Sequence, residues 1–251
     1  MASQRGQVLD GVLLLDKPDG LSSNHALQRA RRTVDARKAG HTGTLDPFAT
    51  GLLVCCFGRA TKIAATMLAA DKVYEATVCF GEETDSGDRT GSVVYRAPAP
   101  FNGISRDGLA AALDDFRGEI EQIPPMYSAL KRDGRPLYAY AREGITLERA
   151  PRRVVVHRLE ILEFLDRRAS IVVHCGKGTY IRTLAQDIGR RLGCGAHLTA
   201  LRRTRVGPFR IEDAVALATL QAMDDPTREI LPLHSLPVGL LPDTFKQKDE
   251  S

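Results

Sequence analysis

The apolar positions along the chain mark out short strands and amphipathic helices in irregular alternation. Residues 11–15, Gly-Val-Leu-Leu-Leu, form a continuous apolar run of the kind a buried strand requires. Asp16-Lys17-Pro18-Asp19-Gly20 then reads as a turn, and Ser22 or Ser23 stands where it can cap a helix carrying Leu27, Ala30 and Val34 on one side. A second apolar strand is expected over 52–57, and a helix over 60–70. In 72–80, Tyr74, Ala76, Val78 and Phe80 alternate with other residues, the signature of a half-buried strand. Residues 82–91 read as an acidic loop, 91–95 as a short strand, and 105–116 as a helix with Leu109, Leu113 and Phe116 inward. Two strands over 154–164 and 169–175 flank a charged turn. A helix follows with Ile181, Leu184, Ile188 and Leu192 on its inner face, then a strand over 197–206 and a helix over 211–220. This order predicts an α+β fold with a mixed sheet rather than a regular doubly wound one.

Two stretches break the periodicity. In 40–53 (GHTGTLDPFATGLL), Gly40, Gly43 and Gly51 surround one carboxylate, Asp46, which is followed at once by Pro47. Glycine permits backbone conformations closed to other residues, while proline fixes its own φ and pushes Asp46 away from helical geometry. A rigid irregular loop presenting His41, Thr42 and Asp46 is expected. The second stretch, 124–149, is polar, aromatic and basic. From 224 the chain is proline-rich, and 245–251 form a polar tail expected to be disordered.

Composition narrows the picture modestly. The 251 residues suffice for a sizeable core, and 43% hydrophobic with 26% charged residues is ordinary for a soluble globular protein. A net charge of +4 does not by itself imply a polyanionic partner. Arginines cluster in 149–158 and 202–210, however, which predicts local basic surface. Five cysteines show no Cys-x-x-Cys spacing, so buried thiols are expected rather than disulfides or a zinc site. The histidines form no metal-ligand set. No signal-peptide core or membrane-length apolar run is present, so a cytoplasmic protein is expected. Gly176-Lys177-Gly178-Thr179 lacks the upstream glycine of a phosphate-binding Walker loop, which excludes that class.

Together, several stretches resemble the TruB family of tRNA pseudouridine synthases. GHTGTLDP over 40–47 is similar to that family's signature loop. GVLLLDKPDGLSS (11–23), DKVY (71–74), IPPMYSALK (123–131), KGTYIRT (177–183) and GCGAHLTALRR (193–203) follow in the family's order. The resemblance implies the pseudouridine synthase fold, a large mixed and mainly antiparallel sheet flanked by helices and loops with an inserted RNA-gripping segment. It implies a catalytic domain over 1–223, with the insert at about 124–149, and a proline-rich extension over 224–251 in place of a C-terminal PUA-like domain.

The resemblance also implies roles for individual residues. Asp46 matches the catalytic aspartate, Tyr74 a tyrosine against the target base, and Arg182 the arginine paired with the carboxylate. Tyr180 matches a substrate-contacting aromatic and Leu201 an apolar residue lining the uracil pocket, His41 one that fills the space left by the flipped nucleotide, and Lys17 one near the active site. The implied reaction converts the T-loop uridine of tRNA to pseudouridine, with no cofactor and no metal. The implied partner is the T stem-loop alone, contacted by a monomer without guide RNA or membrane; Arg202, Arg203 and Arg205 are expected along the backbone of the T arm. The alternative is a tRNA-folding module that acts without catalysis.

Overall fold

The computed structural model describes residues 6–237 and 239–240, so the expected polar tail over 245–251 lies outside the described residues. The fold is α+β, with a large mixed sheet flanked by helices. The first elements are β1 (Gly11–Lys17), α1 (Ser23–Thr33), β2 (Ala39–Thr42), β3 (Thr50–Phe57), α2 (Ala64–Ala69), β4 (Lys72–Phe80), β5 (Glu82–Thr84) and β6 (Val93–Arg96). There follow α3 (Arg106–Asp114), β7 (Gly118–Gln122), β8 (Lys131–Arg132), β9 (Arg135–Pro136), α4 (Leu137–Ala141), β10 (Arg152–Leu165) and β11 (Arg168–Cys175). The last are α5 (Ile181–Arg191), β12 (Ala196–Val206), β13 (Phe209–Arg210), β14 (Val215–Ala216), α6 (Leu217–Ala222) and β15 (Leu231–Pro232). The chain divides into two compact units, one of residues 1–72 with 202–251, the other of Val73–Leu201.

The first unit is built on β1. It runs antiparallel to β3 along its whole length, from Gly11 opposite Phe57 to Lys17 opposite Gly51. Both faces of this pair are covered, which is why its sequence is continuously apolar rather than alternating. Val12, Leu14, Leu52, Val54 and Cys56 enter one cluster with Leu236 and Leu240 from the proline-rich stretch. Leu13, Leu15, Leu53, Cys55 and Phe57 enter the other, with Ala26, Leu27 and Ala30 of α1 and Leu217 and Leu220 of α6. The helix expected over 211–220 is confined to α6. Val215 and Ala216 stay extended because they pair in parallel with Leu15 and Asp16, and Ile211–Asp213 forms a 3-10 turn. The glycine loop likewise begins as strand, because β2 pairs with β3 and sets His41 opposite Cys55. At its far end Gly51 has φ +101°, and a Cβ there would lie 2.3 Å from the Arg203 carbonyl oxygen. Glycine is needed where β12 crosses so closely.

The second unit carries β4, β11, β10 and β7 side by side in that order, with 196–201 of β12 next to β4. β10 and β11 form a long antiparallel hairpin closing at Leu165 opposite Arg168. β7 was not expected: its sequence, Gly-Glu-Ile-Glu-Gln, buries only Gln122, and pairing with β10 makes it a strand. The acidic stretch after Phe80 is a hairpin of β5 and β6 rather than a loop. Within the insert, β8 and β9 form a small hairpin leading into α4. All five cysteines are free, and burial raises the thiol pKa of Cys55 and Cys56 well above the usual range. Among the described residues no helix is long and apolar enough to cross a membrane.

Candidate active site

Asp46 sits half-buried in a loop held on both sides. Ser23, the first residue of α1, is buried under the loop; its hydroxyl accepts from the Leu45 N–H at 2.7 Å and donates to the Leu45 carbonyl at 2.9 Å. Ser22 takes the cap of the helix, accepting from the His25 N–H. On the other side Lys17, fully buried at the end of β1, donates to the carbonyls of Pro18 (2.8 Å), Leu21 (2.7 Å) and Pro47 (3.2 Å). The three bonds match the three donors of an ammonium. The Gly20 N–H reaches the same Pro47 carbonyl at 2.8 Å. Both peptide neighbours of Asp46 are therefore tied to the β1–α1 connection. Ser23→Ala leaves the Leu45 amide and carbonyl buried without partners and should cost about 1–3 kcal/mol. Urea denaturation measures it.

Burial lowers the Lys17 pKa to about 8, with the charges of Asp19 and Asp46 opposing the fall and Arg203 adding to it. His41, half-buried on β2, is also pushed down, first by desolvation and then by Arg203, which favours the neutral imidazole. Its buried Nδ1 has no hydrogen-bond partner among the described residues. Arg203 is the hub of this arrangement, and it corrects the expectation of a backbone-tracking arginine. It is 1% exposed, and its guanidinium donates to the carbonyls of Leu52 (2.8 Å) and Gly43 (3.1 Å). The alternation of β12 turns Arg203 inward while its neighbours point outward. Arg202 pairs with Asp16 at 2.7 and 3.1 Å, and the exposed Arg205 bonds the Gly207 carbonyl.

The other candidates lie in the second unit. Tyr74 is half-buried on β4, and Leu201 is buried on β12. Tyr180 caps α5; its N–H donates to Gln122 Oε1 at 3.0 Å and its carbonyl accepts from Gln122 Nε2 at 3.3 Å. Thus the unexpected β7 helps fix this tyrosine. Arg182 is 3% exposed in the first turn of α5. Its guanidinium donates to the carbonyls of Ser86 (2.7 Å) and Tyr127 (2.6 Å), and its Nε lies 3.8 Å from the Asp88 carboxylate. Asp88 is itself buried and accepts from Ser86 Oγ (3.0 Å), Thr90 N–H (2.9 Å) and Thr90 Oγ (2.5 Å). So the acidic stretch after β4 folds into a turn that seats the arginine. Lys17, His41 and Asp46 belong to one unit, and Tyr74, Tyr180, Arg182 and Leu201 to the other. Sequence reasoning missed Ser23 and Asp88. The paired Ser22-Ser23 and the Ser86-x-Asp88-x-Thr90 spacing were the available signals, and both read as ordinary caps or turns.

The N-terminal model of the TruB family pseudouridylate synthases matches residues 31–181, and the tRNA pseudouridylate synthase B C-terminal domain model matches 182–236. The chain belongs to the TruB family. Its reaction class is therefore that of an isomerase. It is 69% identical over 244 residues to the tRNA pseudouridine synthase B of Bordetella avium, covering 97% of this chain and 100% of that protein. The Aromatoleum aromaticum protein of the same name is 56% identical over 238 residues, covering 94% of this chain and 76% of its own length. Among solved structures, a Cbf5-Nop10-Gar1 complex aligns with TM-score 0.70 and 30% identity over 91% of this chain. An H/ACA RNP bound to a substrate RNA containing 2'-deoxyuridine aligns with TM-score 0.66 and 26% identity over 92%. The chain spans 61% and 65% of the lengths of those two chains.

Proposed function

We propose that this chain converts the T-loop uridine of tRNA to pseudouridine, without a guide RNA, by flipping the base and using Asp46 as the catalytic residue. The observation that carries the reading is the clamp on Asp46: Ser23 on Leu45 and Lys17 on Pro47, within the stretch that resembles the family's signature loop. Relatives that bear the name tRNA pseudouridine synthase B and align over their full length support the substrate.

The chemistry sets clear demands. The bond between uracil N1 and ribose C1′ breaks, the base turns, and a bond from C5 to C1′ forms. The C5 proton leaves and N1 gains one, so substrate and product are isomers and no oxidant enters. A stacked uracil cannot turn, so the base must leave the stack and its place must be filled. A neutral His41 with an unpartnered nitrogen suits that filler. An ionised Asp46 serves as nucleophile, or as ion-pair partner of the detached sugar. In this proposal Tyr74 and Leu201 hold the uracil, Tyr180 contacts the substrate, and Arg182 balances the carboxylate. Residues 1–223 then act as the catalytic module with 224–251 as its extension, and 124–149 grip the RNA. In that insert Arg135 and Arg142 stack on Tyr140 and Tyr138, at 4.5 and 5.2 Å from the ring centres, while Lys131 and Arg132 face outward. Base stacking and phosphate contact suit such a surface.

Chemical mapping of pseudouridine in an isolated T stem-loop, incubated with the protein alone, tests the reading. One modified loop uridine is expected. An unmodified RNA overturns it, conversion only after a guide RNA is added overturns guide independence, and faster tRNA folding without isomerisation favours the folding module.

Lys17 adds a pH prediction. The fold releases its proton near pH 8 and the unfolded chain near 10.5. Between these values the unfolded chain holds more protons, so this group makes the fold more stable as pH rises. The clamp on Pro47 needs the protonated ammonium and weakens over the same interval. Turnover should fall above about pH 8 while the melting temperature does not fall through this group; parallel pH series of both quantities check it.

A further inference from the structure

A cavity of about 300 Å³ opens in the first unit at the end of β1, lined by Asp16, Pro18, Arg29, Arg202, Leu217 and Ala218 among others. That volume is the lower end of the range for ligand sites. Its lining is part apolar, from Pro18, Leu217 and Ala218, and part charged. The Asp16–Arg202 pair is fixed by two hydrogen bonds, at 2.7 and 3.1 Å, and both side chains remain partly exposed. Arg29, exposed on α1, makes no side-chain hydrogen bond or ion pair among the described residues. Asp16 is followed directly by Lys17, whose ammonium holds the carbonyl after Asp46. The cavity and the catalytic loop therefore share one anchoring strand.

We propose that this cavity takes a second nucleotide of the substrate strand, one that adjoins the flipped uridine; the proposal rests on the RNA-modifying reading above. The apolar lining accepts the face of a base, and Arg29 supplies a cation for its phosphate. The Asp16–Arg202 pair sets a carboxylate acceptor beside guanidinium donors. That edge complements a base with an exocyclic amine next to a ring acceptor, cytosine or adenine, and it leaves uracil's N3–H and carbonyls mismatched. Arg202 and Asp16 thus select a neighbouring base rather than only joining β12 to β1.

A cycle of protein and RNA changes tests this. Ala218→Phe fills the cavity from its exposed rim, and Arg29→Gln removes the exposed cation; neither touches the core. Stem-loop RNAs carry an abasic site at each loop position in turn, apart from the target. Ala218→Phe should raise KM about tenfold and leave kcat within about twofold. One abasic position should raise the wild-type KM by a similar factor and add nothing to the variant. At that position, uracil in place of cytosine or adenine should weaken the wild type and not Asp16→Asn. Arg29→Gln should weaken every RNA and flatten the salt dependence. An unchanged KM for Ala218→Phe, or abasic effects that add in full at every position, overturns the proposal. The same cycle read as Kd by fluorescence anisotropy separates the two readings. Coupling in binding without isomerisation sinks the enzyme reading and keeps the nucleotide site.

Discussion

Asp46→Asn should abolish conversion of the T-arm uridine while leaving the RNA bound. The amide has nearly the shape of the carboxylate, and the hydrogen bonds of Ser23 and Lys17 go to the backbone of Leu45 and Pro47. These backbone contacts remain, and the charge that the proposed reaction needs is lost. Removing a member of a catalytic triad lowers turnover by about four orders of magnitude or more, and a loss of that order is expected here. Single-turnover pseudouridine formation and anisotropy on the same stem-loop measure the two halves of the expectation. Turnover within tenfold of wild type would exclude Asp46 from the chemistry, whatever the binding showed.

Asp88→Ala should produce the largest loss of stability. The carboxylate is buried beside Arg182, accepts three hydrogen bonds from Ser86 and Thr90, and faces a guanidinium that is 3% exposed. Removing one partner of a buried, hydrogen-bonded ion pair costs about 3–5 kcal/mol. The carbonyls of Ser86 and Tyr127 still accept from Arg182, so the guanidinium keeps its place in the variant. The double change Asp88→Ala with Arg182→Met removes the buried guanidinium as well and should recover part of the loss. Urea midpoints of the two proteins make the comparison. A midpoint for Asp88→Ala equal to wild type would show that the pair contributes nothing.

These two residues differ in how far the sequence exposed them. The irregular loop around Asp46 was legible because its signals are local, three glycines, a following proline and a carboxylate within a dozen positions, while the role proposed for Asp46 came from the family resemblance. Asp88 was not, since a Ser-x-Asp-x-Thr turn looks alike whether it lies in water or beneath a helix 94 positions later in the chain, where Arg182 sits. Ser23 was half legible. It stood next to the true cap, Ser22, and only the placement of Leu45 above α1 showed which hydroxyl did which work. Arg203 was misread. Three arginines in four residues suggest a basic surface, yet strand alternation buries the middle one under the carbonyls of Gly43 and Leu52.

The same division runs through the fold. The sequence by itself determined β1, β3, β10, β11, α1 and α5, where apolar periodicity persists over most of an element and covalent geometry leaves one choice of secondary structure. It also marked the α+β class and the family. Tertiary structure decided β2, β5 and β7, whose sequences are too polar or glycine-rich to declare a strand, and which exist because a neighbour offers its unpaired backbone groups. It decided that the proline-rich stretch after Asp224 lends Leu236 and Leu240 to the first core. It also decided which polar side chains are buried. Hydrophobic pattern is a local property, readable a few residues at a time, whereas the partner that satisfies a buried charge or hydroxyl is brought in from a distant part of the chain.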